Sequence, residues 1–221
     1  MATKDTGSDR AIFDAIAPGW YGFRHRTIFK TELGELARRW QRGRLLNVGC
    51  GHGADFPPFR EGFDLYGIDF SVGMLGYARK YAAKFELDPE LVLADAARLP
   101  LKDDTFDWAI SVATYHHLRT PEARLAALVE LRRVLRPGGE AFITVWNRGQ
   151  PRFWLRGKET LVAWRTKREV LQRYYYLFSR KELEGLARQA GFEVPRSFAE
   201  SSHRLPVKTF SRNICLLVRK V

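Results

Sequence analysis

The sequence predicts one three-layer α/β domain. Three observations carry this: short apolar runs alternate with amphipathic stretches of helical period, the first strong run stops in a glycine-rich turn, and the chain closes on a pair of apolar runs. The glycine turn is Leu45-Leu46-Asn47-Val48-Gly49-Cys50-Gly51-His52-Gly53. A buried parallel strand that ends this way serves two purposes: glycine admits φ > 0 in the turn, and it lets a ligand approach bare backbone. Twenty residues past Gly49, Asp69 ends a second apolar run, Leu65-Tyr66-Gly67-Ile68. A carboxylate at that strand end accepts hydrogen bonds from a ribose diol. The glycines are spaced G-x-G-x-G rather than G-x-G-x-x-G, a turn not shaped to seat a pyrophosphate.

The elements follow in order. Asp9 to Ala17 reads as a helix capped by Asp9 and ended by Pro18-Gly19. A second helix is expected over Thr27 to Gln41, with Ile28, Leu33, Leu36, Ala37 and Trp40 inward. Strand one is followed by an irregular helix because of Pro57-Pro58. After strand two, Ser71 caps a helix whose inner face carries Val72, Leu75, Ala78 and Ala82. Leu91 to Leu93 form strand three, followed by Asp95-Ala96. Trp108 to Ala113 form strand four, and its ligand-facing end leads into Thr114, Tyr115, His116 and His117. Pro121 opens a helix through Leu135, Arg136-Pro137-Gly138-Gly139 stops it, and Ala141 to Val145 form strand five. Ser179 caps a helix to Ala190; strand six starts at Gly191-Phe192, and the closing strand covers Ser211 to Val218.

Composition bounds the function. The chain has 221 residues and a formal net charge of +12, and a strongly basic surface attracts polyanions, nucleic acid first among them. The plain alternative is a generic solubilising surface. Residues 147–178 concentrate the charge, with Arg148, Arg152, Arg156, Lys158, Arg165, Lys167 and Arg168 interleaved with Phe153, Trp154 and Trp164. This stretch reads as an insertion, either a substrate-binding lid suited to RNA or an amphipathic surface helix. Two cysteines, Cys50 and Cys215, form no disulfide framework, and no Cys/His cluster has metal-ligand spacing. Met1 to Arg10 is polar without a signal-peptide core, and no run is apolar enough to cross a bilayer, so no membrane is expected and the expected compartment is the cytoplasm.

Val48-Gly49-Cys50-Gly51-His52-Gly53 resembles the first motif of the class I S-adenosylmethionine-dependent methyltransferases, with Asn47 where that family often has an acid. The resemblance implies a Rossmann-like fold over the whole of 1–221, with a seven-stranded, mostly parallel sheet whose last strand is antiparallel beside strand five. It implies N-terminal helices over 1–43 acting as a lid. It implies S-adenosylmethionine as cofactor, S-adenosylhomocysteine as product, and contacts from Asn47, Gly49, Cys50, Gly51, Gly53, Asp69, Phe70, Met74, Asp95, Ala96 and Ser111. Asp95 would bind the adenine amino group; its plain alternative is a turn cap.

A narrower resemblance is to the branch that esterifies carboxymethyluridine at the tRNA wobble position. Its residues here are Phe13 to Pro18 followed by Arg24, Ala94-Asp95, Phe106 to Ser111, His116-His117, and Arg173-Tyr174-Tyr175. Methylating a carboxylate is an in-line displacement that needs positioning and an orienting cation rather than a strong base. Arg24 suits the cation role, His116 can donate or line the pocket, and Tyr174 and Tyr175 can contact the uridine. The resemblance also implies a small zinc-binding activator subunit, docked on the apolar edge of strand three. One alternative is a small-molecule O- or N-methyltransferase with His116 as general base. Another is an RNA-binding protein that has lost methyl transfer.

Overall fold

The computed structural model describes residues 6–166, 169–203 and 208–221; Lys167 and Arg168 of the basic stretch lie outside the described residues. The chain runs α1 (Thr6–Phe23), α2 (Lys30–Trp40), β1 (Gly43–Val48), β2 (Phe63–Asp69), α3 (Val72–Phe85), β3 (Glu90–Leu93), β4 (Phe106–Val112), α4 (Pro121–Val134), β5 (Leu135–Trp146), β6 (Glu159–Arg165), β7 (Val170–Tyr176), α5 (Arg180–Gln189), β8 (Phe192–Ala199) and β9 (Asn213–Lys220). Seven strands form one sheet in the order β3-β2-β1-β4-β5-β9-β8. The pairs β1–β2, β2–β3, β1–β4 and β4–β5 are parallel, while β9 lies antiparallel between β5 and β8. The order reverses between β1 and β4, which opens a crevice at their carboxyl ends.

Alternation along the central strands feeds two cores. Leu46, Val48, Ile143 and Val145 pack with α4 and α5 on one face. Leu45, Ile110, Val112 and Phe142 pack with Leu33, Leu36 and Trp40 of α2 on the other. These are the three layers expected. The caps also fall where expected. The side chain of Ser71 accepts from Met74 N at 3.0 Å, and Ser179 forms a reciprocal capping box with Glu182. Pro57-Pro58 supports only a 3-10 turn over Pro57–Phe59.

Several local expectations are corrected. α1 continues through Pro18 to Phe23, because Ile16 and Ala17 are fully buried against Met74 and Trp20 packs on Trp164. That burial offsets the missing N–H of Pro18. Asp9 lies inside α1 rather than capping it and pairs with Arg119. α2 starts only at Lys30, so Ile28 is exposed and Phe29 takes the buried position. Val72 is likewise exposed, and Met74 and Tyr81 bury in its place. Among its described residues, the stretch 147–178 contains no helix beyond a 3-10 turn over Pro151–Phe153. It forms the antiparallel β6–β7 hairpin, with Glu159 opposite Tyr176 and Arg165 opposite Val170. No helix of the described residues is long and apolar enough to cross a membrane.

Candidate active site

A cavity of about 1060 Å³ lies in the crevice and is bordered by α1 and the β6–β7 hairpin. Of the residues singled out in the sequence, Arg24, Gly49, Cys50, Gly51, Asp69, Phe70, Met74, Asp95, Ala96, His116 and Tyr175 line it. Asn47, Gly53, Ser111 and Tyr174 stand outside its lining.

The glycine turn holds the strand ends together and leaves space for a ligand. Gly49 has φ 71°, and a Cβ there would meet Thr114 Oγ1 at 2.2 Å. Thr114 in turn donates to Val48 O at 3.2 Å, so the close approach at Gly49 is between β1 and the chain leaving β4, not with a ligand. Gly51, at φ 54°, has nothing within 4 Å of where its Cβ would stand, and it lines the cavity. Asp69 accepts from Gly51 N and from Ser71 N, both at 2.9 Å. Burial outweighs these bonds and pushes its carboxyl up to about 6. Asn47 is fully buried on β1, and neither polar atom of its amide has a protein partner among the described residues. Asp95 is exposed, and its Oδ1 accepts from Ala97 N at 2.8 Å, the turn contact that its plain reading anticipates.

The opposite half of the cavity is aromatic and cationic. β4 leaves the sheet through Ala113, held at φ 58°, a left-handed conformation strained for a residue with a Cβ. The chain then makes a 3-10 turn over Tyr115–His117. The backbone N–H of Trp146 donates to His116 Nδ1 at 3.1 Å. That nitrogen therefore carries a lone pair, and the proton of the neutral ring sits on Nε2. Burial, then the charges of His117, Arg173 and Arg24, hold His116 well below its usual range, so the ring is neutral at pH 7. His117 has the opposite tautomer: its Nδ1 donates to Tyr174 O at 2.8 Å, and burial lowers it to about 4.

β7 sorts the Arg-Tyr-Tyr run by strand alternation. Arg173 and Tyr175 face the cavity. Tyr174 turns away, with Arg119 over its ring at 4.5 Å and its hydroxyl 3.3 Å from Arg119 O. The shared position expected of both tyrosines is thus corrected: Tyr175 lines the cavity and Tyr174 does not. Tyr175 is hemmed in by Trp146 at 4.1 Å and His116 at 4.9 Å, both near-parallel, and by His117 at 4.5 Å. Arg173 was not singled out as a site residue, yet it is buried at 6% exposure with its Nε unpartnered. Its guanidinium lies 5.5, 5.1 and 5.4 Å from the rings of Trp20, Trp164 and Tyr175. Trp146, Arg152 and Arg212 complete this half. Arg212 precedes the last strand and carries no local signal, whereas Arg173, directly before two tyrosines, does.

A crevice at a sheet's topological switch point, with a strand-end carboxylate and an open glycine turn, defines a nucleoside-binding α/β enzyme. A methyltransferase domain profile matches residues 46–143. A protein of Encephalitozoon cuniculi named as a methyltransferase is 33% identical over 158 residues, 68% of this chain and 70% of that one. The tRNA (carboxymethyluridine(34)-5-O)-methyltransferase of Xenopus tropicalis is 35% identical over 136 residues, 61% of this chain but only 20% of that protein, so the present chain spans a small part of its length. A chain from the complex between the Haloferax volcanii Trm112 methyltransferase activator and a methyltransferase superposes with a TM-score of 0.72 at 20% identity, covering 96% of this chain and 97% of that one. The chain belongs to the methyltransferases. The residues that line the cavity fit S-adenosylmethionine: Gly51 leaves backbone open to it, and Asp69 sits at the strand end.

The two glycines separate fold from binding. Gly49→Ala is expected to destabilise the protein by about 2–4 kcal/mol in urea denaturation, from left-handed strain plus the clash with Thr114. Gly51→Ala should cost about 1–2 kcal/mol for the left-handed conformation alone and should weaken S-adenosylmethionine binding, read by calorimetry. Equal stability losses would contradict this division.

Proposed function

We propose that this enzyme methylates the carboxylate of a carboxymethyl-type modified uridine at the tRNA wobble position. The tautomer of His116 carries the reading: a neutral ring that accepts on Nδ1 presents Nε2–H as a donor, so it orients an acceptor that is already anionic. A general base for a phenol or hydroxyl would need a lone pair where this ring has its proton, which disfavours the small-molecule alternative. A carboxylate, with pKa near ~4, is ionised at neutral pH. The names of relatives such as the Xenopus tropicalis enzyme support the same acceptor.

In this reading Asp69 accepts from the ribose hydroxyls, the Gly49–Gly51 backbone with Cys50 holds the methionine end, and Asp95 with the amide of Ala96 reads the adenine. Phe70 and Met74 wall that end; Asn47, Gly53 and Ser111, outside the cavity lining, shape it from behind. The bound cofactor supplies an electrophilic methyl group on a sulfonium. An acceptor that arrives as a carboxylate needs no proton removed, so this chain's residues would only have to hold it in line with that methyl group. Arg24 and Arg173 hold the carboxylate, His116 Nε2–H fixes its angle, and Tyr175 is the wall that keeps His116 in place. α1 and the hairpin, which meet at Trp20, Phe23 and Trp164, form the lid that excludes water.

An activator subunit fits the same reading. β3 is an edge strand paired only with β2, and its Leu93 is 46% exposed. A partner adding a strand there would cover it.

The direct test is transfer of labelled methyl from S-adenosylmethionine to bulk tRNA, with and without a Trm112-type subunit, followed by nucleoside analysis. A labelled, alkali-labile uridine ester is expected, and Arg24→Ala should keep cofactor binding while losing most transfer. Label appearing only in small molecules would overturn the reading. A second expectation concerns pH. Because the carboxyl of Asp69 is raised to about 6, it protonates as pH falls through that value and loses its capacity to accept both hydroxyls. Cofactor affinity should therefore weaken from pH 7.5 to 5. Asp69→Asn should bind about 5- to 150-fold more weakly and lose that pH dependence, for about 1–3 kcal/mol of charged hydrogen bonding. Equal affinity at both pH values in the wild type would remove Asp69 from the ribose role.

A further inference from the structure

Four guanidiniums, Arg24, Arg152, Arg173 and Arg212, line the cavity's acceptor half, and none of them forms an ion pair among the described residues. They lie at two depths. Arg173 is buried in its aromatic cage and Arg24 is half-buried, and the charges of both reach the deep His116 ring. Arg152 and Arg212 are exposed at the mouth. Arg152 lies 4.7 Å from the ring of Trp146 and 4.5 Å from that of Phe153.

The outer pair is placed against its own repulsion. Partial burial, then the charge of Arg212, lower the hold of Arg152 on its proton, against an opposing pull from Tyr175. The carboxylates that line the cavity are engaged elsewhere: Asp9 with Arg119, Asp69 with the glycine turn, and Asp95 with its own turn. Asp55 is buried, and its charge is felt together with that of Arg24, in the inner group. Glu200 meets Arg212 through its backbone N–H, at 3.1 Å, and also accepts from the Asn213 amide, and it forms no ion pair with the guanidinium. Like charges whose guanidiniums are not ion-paired are a site for an anion that arrives with the ligand.

We propose that Arg152 and Arg212 form a second anion subsite, which takes a phosphodiester attached to the acceptor nucleotide while the inner arginines take its reacting acid. This rests on the functional reading above and deepens it: the enzyme would select a nucleotide within a polynucleotide over a free nucleoside acid. The flat face of Trp146, already under Arg152, joins the two subsites through Tyr175.

The test is RNA binding by the full chain, which needs no methyl transfer. Fluorescence anisotropy with a labelled single-stranded anticodon-loop RNA, in the presence of S-adenosylhomocysteine, gives affinity as a function of salt. Arg152→Gln and Arg212→Gln should each weaken binding about tenfold near 0.1 M salt and should lower the slope of log affinity against log salt by about 0.7–0.9. Arg152→Lys and Arg212→Lys should restore the slope, which a merely structural role would not do. Cofactor affinity and circular dichroism report that the variants are folded. A wild-type slope in folded Gln variants, or no RNA binding by the wild type, would overturn the subsite. Failure of the tRNA reading shows separately, as intact RNA binding with the expected slopes but no labelled uridine ester.

Discussion

The backbone amide of Trp146, at the end of β5, donates to Nδ1 of His116 in the turn that follows β4. The contact spans two parallel neighbours at the carboxyl edge of the sheet, where all the ligand-facing loops emerge. A backbone amide cannot change its role, so the imidazole is confined to one neutral tautomer. Burial and the nearby arginines keep it from taking a second proton. This half of the cavity is therefore a set of donors and cations around an aromatic wall. Such a surface stabilises an anion that arrives ionised and is poorly suited to making one.

The wall and the cations depend on the hairpin. A strand puts alternate side chains on opposite faces, and β7 sends Arg173 and Tyr175 into the cavity while Tyr174 and Tyr176 face the α4 side. Arg173 is kept buried without a carboxylate by three aromatic faces, an arrangement that lessens the desolvation cost without neutralising the charge. The other half works by different means. There, close approach at Gly49 and Thr114 locks the strand ends, and open backbone at Gly51 leaves room. Asp69 is ready to accept hydrogen bonds at some electrostatic cost, which donors on a ligand would relieve.

The sheet, its switch point and the cofactor-side residues were legible in the sequence because their signals are local. Strand runs, the glycine turn, Asp69 and the caps at Ser71 and Ser179 each occupy a few consecutive residues. The acceptor side was legible only in part. Arg24, His116 and Tyr175, singled out in the sequence, line the cavity, while Arg152, Arg173 and Arg212 join them there only through folding, from segments far apart in the chain. The hairpin is not legible locally because charge density obscures a period-two pattern in Thr160, Val162 and Trp164, which lets the stretch read equally as a lid or as an amphipathic surface helix. Pro18 misled for a related reason: a local breaker was overridden by burial of Ile16, Ala17 and Trp20 that no local window reveals.

The central claim is that His116 presents a donor rather than a base. Nitrogen-15 NMR of selectively labelled histidine, assigned with a His116→Asn variant, measures it directly. The account predicts a neutral ring with the proton on Nε2 and none on Nδ1 at pH 7, unchanged down to pH 5.5, because burial and the adjacent arginines hold its pKa well below the usual value. A ring protonated on Nδ1 with a free Nε2 lone pair, or one that titrates near pH 6.5, would contradict it and return His116 to the role of general base.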